Sequence, residues 1–407
     1  MNWKVVKVVS SALLIVIISL SVIYQQNIRR LYTAITLYDQ DKIVENFLTM
    51  PESFAATRIP PSDTPFHFPK QSQELPATYS LEGKSISTDE FLLDSGTTGL
   101  LVLRDGVIQF EEYYLGNSEE QQHISFSVAK SFVSALLGIA IDERKITSVD
   151  QAVTDYVPEL KGTGYDGVQI KDILQMSSGV KFNEDYGDFN SDINRFSRAT
   201  AFGTSLDEFS ASLVREREPG TYHHYVSIDT QVLGMLLTRV TKRSLSDYLA
   251  EKIWQPLGME YPLYWLKDDE GMELALGGLN VSLRDYAKLG WLYLNKGKWG
   301  EKQIIPRQWV IDSVTPDSPR LMPGDNNPES SSSDGYGYQW WVPLGADDEF
   351  AARGIYSQYI YVDPDQNLVI VKTSANHLFT DPAYNWNTNH VALFRAISRY
   401  FESKRID

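Results

Sequence analysis

Cysteine is absent from all 407 residues. This excludes disulfides, thiolate catalysis and Cys-ligated zinc or iron–sulfur centres. Histidine is sparse, with six residues, and none sits in the H-E-x-x-H order of a zinc hydrolase. His223 and His224 are adjacent, so in a helix or strand they do not converge on one metal. His123 reads as a solvated loop residue. Neither a G-x-S-x-G elbow nor a phosphate-binding P-loop occurs, and no metal or organic cofactor is expected. Basic residues are outnumbered, 37 against 53 acidic ones, for a formal net charge of −16. Nucleic acid, whose phosphates need a basic surface, is therefore not an expected partner.

Long apolar runs are missing with one exception, residues 8–24, preceded by Lys4 and Lys7. As a helix this run would be about 25 Å long, close to the roughly 30 Å of a bilayer core. It ends in the bulky Val22, Ile23 and Tyr24 rather than the small residues of a cleavage site,. It reads as an uncleaved signal-anchor, a transmembrane helix tethering an extracytoplasmic domain to the membrane. Arg29 and Arg30 balance the two lysines, so the orientation stays open. The expected organisation is an anchor over 1–30, a short helix (31–50) and Pro-rich arm completing 31–84, and a globular domain over 85–407.

Within that domain, apolar runs at 99–103 and 107–114 flank Asp105-Gly106, a hairpin signal because this pair supplies the positive φ of a tight turn,. A helical pattern covers 127–141, and the chain from about 145 to 315 is helix-rich. Residues 319–334 are polar and rich in Ser, Pro, Gly and Asn, as a flexible loop is. β-Formers return at 337–342, 358–362 and 368–373, and a helix over 389–401 closes the chain,. The order predicts an α+β fold: an antiparallel sheet with strands from both ends of the chain, flanked by helices and carrying an inserted helical subdomain.

Ser127-Val128-Ala129-Lys130 is an S-x-x-K tetrad at a helix start. A spacing of three puts both side chains on one face of the first turn. A serine hydroxyl is a weak nucleophile until a base takes its proton, and a lysine whose pKa is lowered by burial can serve. The tetrad alone is weak evidence. About one or two should arise by chance in such a chain, and a second, Ser178 to Lys181, does occur, at the end of a helical run with Gly179 inside.

The surroundings separate the two. Ser125-Phe126-Ser127-Val128-Ala129-Lys130-Ser131 is followed by Val153-Thr154-Asp155-Tyr156-Val157-Pro158, Gln175-Met176-Ser177-Ser178-Gly179, Glu218-Pro219-Gly220-Thr221-Tyr222, Pro256-Leu257-Gly258-Met259 and Gly277-Gly278-Leu279. In this order the segments resemble the serine β-lactamase-related superfamily of class C β-lactamases, DD-peptidases and esterases. Gly354-Ile355-Tyr356-Ser357-Gln358 and Asp185-Tyr186-Gly187-Asp188 are most like its 6-aminohexanoate-dimer hydrolase branch.

The resemblance implies a β-lactamase/transpeptidase-like fold and acyl transfer to Ser127, with Lys130 as base. It implies a proton-relaying Tyr225, in a Tyr-x-Ser where the family has Tyr-x-Asn. The Ser127 and Ile355 amides become the oxyanion hole, Gly354 gives close approach, and Tyr186 is a loop residue that closes on an amide substrate and donates to the leaving nitrogen. Asp188 reads as a loop cap. Ala352-Arg353-Gly354 stands where the family has Lys-Thr-Gly. The missing lysine turns the expected substrate from β-lactams towards small amides, esters or peptides. Lys372-Thr373-Ser374 mimics the lost motif but lacks its glycine and reads as structural. The alternatives are a carboxylesterase, a D-amino-acid peptidase on cell-wall fragments, or a non-catalytic penicillin-recognising envelope protein. Oligomeric state is not legible.

Overall fold

The computed structural model describes residues 3, 7, 25–381 and 383–403. Its strand Thr97–Arg104 is buried along its whole length. Leu100 and Val102 join one core with Leu393, Phe394 and Ile397 of the closing helix Trp386–Ser403. Leu101 and Leu103 join another with the helices Ala129–Asp142 and Leu283–Leu294. A strand covered on both faces needs an unbroken apolar run, and Leu100 to Leu103 supplies it.

Among the described residues, seven strands form one antiparallel sheet in the order Gly335–Tyr336, Trp341–Val342, Phe350–Gly354, Gln358–Asp363, Leu368–Ser374, Thr97–Arg104 and Val107–Tyr113. The two ends of the chain meet where Leu368 pairs opposite Arg104 and Thr373 opposite Gly99. Asp105 and Gly106 both take positive φ in the hairpin turn. Between these strand groups lies the helical block, with Ile228–Thr241 packed on Ala129–Asp142. The α+β arrangement is therefore present.

The expected transmembrane helix is corrected. Among the described residues no helix is long and apolar enough to cross a membrane. Residues 8–24, on which that expectation rested, lie outside the described residues.

A single helix over 31–50 is also corrected. Two helices, Gln25–Ile35 and Ile43–Ser53, are separated by a turn in which Asp39 O accepts from Lys42 N and Ile43 N. The polar Asp39, Gln40 and Asp41 favour that turn over a continuous helix. Thr33 donates to the Ser53 hydroxyl at 2.8 Å, and Arg30 pairs with Asp269 at 3.1 Å, so the first helix is tied to the body. Phe47 and Met50 of the second are buried. The chain then adds Ala56–Ile59 to a small sheet, in the order Ala56–Ile59, Leu263–Leu266, Leu279–Val281, His123–Ile124. This sheet fixes the residues just before Ser127.

Gly138, on the helix Ala129–Asp142, lies against Trp309: a Cβ there would come 2.4 Å from the ring. Overpacking of this kind costs about 1–3 kcal/mol, more than alanine's helix preference of about 1 kcal/mol returns. Gly138→Ala should therefore lower the urea midpoint. An unchanged or raised midpoint would show that Trp309 moves aside freely.

Candidate active site

Ser127 sits in a 3₁₀ turn, Phe126–Val128, that runs directly into the helix Ala129–Asp142. Phe126 takes a φ of 44°, a left-handed conformation costly for a residue with a bulky Cβ. Aromatic neighbours hold it there, with ring centroids of Phe47 at 4.9 Å and Tyr356 at 5.6 Å.

Lys130 follows one turn on and is fully buried. Its Nζ lies 2.7 Å from Ser127 Oγ and 2.7 Å from the carbonyl of Leu276. Burial lowers its pKa from 10.5 to about 7, while the carboxylate of Glu184 pulls it back up. A lysine so placed is available as a neutral base near pH 7. The second tetrad has no such pairing. Ser178 is buried and accepts from Val180 N at 3.4 Å, whereas Lys181 is exposed.

Tyr225 is close to the same lysine, whose Nζ is 5.4 Å from the ring centre. Trp341 stacks on Tyr225 at 5.2 Å with an interplanar angle of 27°. The Arg353 guanidinium covers Trp341 in turn at 5.3 Å and pairs with Asp334 at 2.5 Å. Burial and Glu184 push the Tyr225 pKa well above its ordinary value, against hydrogen bonds to Ser127 and Ser227. The phenol therefore keeps its proton.

The residue that sequence reasoning missed is Glu184. Its carboxylate accepts from Ser227 N at 2.9 Å, Ser227 Oγ at 2.5 Å and Tyr186 Oη at 2.8 Å. Ser227, standing where the family has Asn, is thus occupied by Glu184. Tyr186 is brought to the site and lines the same cavity as Ser127.

The strand Phe350–Gly354 passes close to the residue two before Ser127. A Cβ on Gly354 would come 2.4 Å from Ser125 O, so only glycine fits. The turn after it carries two left-handed residues, Tyr356 and Ser357, with φ of 59° and 70°. Gln358 holds it, its amide donating to Tyr356 O at 3.0 Å and Ser374 O at 2.6 Å. Ile355 lines the cavity together with Ser127.

The remaining candidates are structural. Lys372 is buried and bonds Ser374. Asp188 accepts from Asn190 N at 2.8 Å. His223 Nδ1 lies 2.9 Å from Ser330 Oγ, pinning the loop that contains Ser330. His123 departs from expectation. It is buried in the small sheet rather than solvated, and burial pushes its pKa down to about 4.

A serine coupled to a buried lysine whose proton is loosely held, under a strand edge kept clear by glycine, defines a serine hydrolase. The chain belongs to the β-lactamase family, whose model matches residues 93–392. It is 28% identical over 323 residues to the 6-aminohexanoate-dimer hydrolase of Paenarthrobacter ureafaciens, covering 77% of this chain and 81% of the relative. In fold it resembles a Bacillus anthracis protein provisionally assigned as a 6-aminohexanoate-dimer hydrolase, with a TM-score of 0.81 at 24% identity, covering 90% of this chain and 96% of the other. A family VIII carboxylesterase shares the fold more distantly, with a TM-score of 0.56 at 16% identity over 76% of this chain and 95% of its own.

Proposed function

We propose that the protein cleaves a carboxylic amide or ester by acyl transfer to Ser127. The observation that carries this reading is the 2.7 Å contact between Ser127 Oγ and a fully buried Lys130 whose pKa lies at about 7. Neutral Lys130 accepts the Ser127 proton as Oγ bonds to the substrate carbonyl carbon. The Ser127 and Ile355 amides stabilise the oxyanion. As the tetrahedral intermediate collapses, the bond to the leaving amine or alkoxide breaks. That group takes a proton from Tyr225, which Lys130 refills. Water then attacks the acyl-enzyme by the same route in reverse, releasing the acid and restoring Ser127. Tyr186, anchored by Glu184, contacts the substrate from the loop.

The place of a β-lactam-binding lysine is taken by Ala352, which is buried, and the neighbouring Arg353 is committed to Asp334. Both favour acyclic amides and esters. A fluorophosphonate probe should label the wild-type protein at Ser127 and leave Ser127→Ala unlabelled, read by peptide mass mapping. A label elsewhere, or equal labelling of the variant, would remove Ser127 from the nucleophile's place.

A further inference from the structure

The cavity in front of Ser127 has a volume of about 550 Å³, within the roughly 300–1,000 Å³ of small-molecule sites. Its chemistry is one-sided. Leu266 and Leu274 form part of the wall, and Leu31, Ile35, Phe189 and Phe202 surround the opening. Those last four are 47%, 71%, 70% and 64% exposed, so a cluster of large apolar side chains meets solvent where a substrate would enter.

Three polar side chains in the wall, Asn194, Ser197 and Thr200, are already engaged, while Tyr38 adds a hydroxyl to the lining. Asn194 donates to Tyr186 O at 3.1 Å and Asp188 O at 2.8 Å. Ser197 bonds Ile193 O at 2.9 Å and Thr200 bonds Phe196 O at 3.0 Å. Among the described lining residues the single charged side chain is Arg198. It donates to Phe189 O at 2.7 Å, and its guanidinium lies 4.0 Å from the Phe189 ring centre.

The cavity also has a side. Ser127 and Ile355, the proposed oxyanion donors, line it, whereas Lys130 and Tyr225, which handle the leaving group's proton, do not. It opens onto Ser127 and Ile355, with Tyr186 in the same lining.

We infer that the group transferred to Ser127 is an uncharged aliphatic chain of medium length, making the substrates fatty-acyl esters or amides rather than compounds with a charged acyl tail. This inference rests on the acyl-enzyme reading above. Each methylene that enters an apolar wall contributes about 0.8 kcal/mol, or three- to fourfold in kcat/KM if fully buried in the transition state.

The test uses the full chain with p-nitrophenyl acetate, butyrate, hexanoate, octanoate and decanoate, and with p-nitrophenyl 6-aminohexanoate against the hexanoate. The expected result is a kcat/KM that climbs about three- to fourfold per methylene until the cavity is filled, with hexanoate preferred over its ammonium analogue. Ile35→Asp and Phe202→Asp, both at exposed positions, should each lower the octanoate-to-acetate ratio by about tenfold or more. A flat or falling profile, or preference for the ammonium ester, in an enzyme that fluorophosphonate still labels at Ser127, overturns the acyl-chain assignment alone. Failure of Ser127 labelling overturns the acyl-enzyme reading and this one with it.

Discussion

Lys130→Met is expected to lower kcat/KM by about 10²–10⁴-fold, the range for loss of a positioned general base, and to raise stability at the same time. The loss follows because methionine fills the same buried space but cannot take the Ser127 proton. In the wild-type protein the active form is the neutral amine. With the lysine pKa at about 7, kcat/KM should rise with pH through that value and fall to about one tenth of its plateau one unit below it.

The gain in stability has a definite sign. A lysine pKa lowered in the folded state means that the unfolded chain binds the extra proton. The folded protein is therefore penalised most below pH 7, where burial must hold the charged form, and least above 10.5. A drop from 10.5 to about 7 corresponds to several kcal/mol, about 1.4 per unit. Thermal melts should show Lys130→Met above wild type by the widest margin near pH 6, narrowing as pH rises towards 10. A margin that grows with pH, or a variant that keeps its turnover, would contradict a buried lysine base.

How far the site can be read along the chain depends on how local each contact is. Ser127 and Lys130 share one turn, so their spacing announces the pair, and Gly354 stands out because few strands tolerate glycine without a close neighbour. The sheet was legible for a similar reason: Leu100 to Leu103 has an apolar run that only a doubly covered strand needs. Glu184 had no such signal. It is one of many acids in polar loops, and its partner Ser227 lies 43 residues away. His123 was misread because Gln121 and Gln122 precede it, so the polar context suggested solvent, whereas the small sheet buries it. The part that Leu31 and Ile35 take in the cavity's apolar opening was equally hidden. An apolar helix stripe says that something is covered, not what.

Glu184→Gln carries the second large effect. The carboxylate does two things in one place. It holds Ser227 and Tyr186 through three accepted hydrogen bonds, and its charge raises the Lys130 pKa against desolvation. An amide keeps the size but offers one oxygen, and turns an N–H₂ group towards donors that had an acceptor. Loosening of Tyr186 and of the Tyr225–Ser227 segment should lower kcat/KM by about 10²-fold, the scale of a small misplacement near reacting atoms. Loss of the negative charge removes the influence that favours protonated Lys130, so the lysine pKa falls further. The acid limb of the pH–rate profile should then lie at lower pH than in the wild type. A residue that merely supported the loop would lower the plateau and leave the limb in place. A limb that stays fixed or moves to higher pH would therefore reduce Glu184 to a scaffold. A limb displaced downward would make it the group that sets the working pH of the Ser127–Lys130 pair.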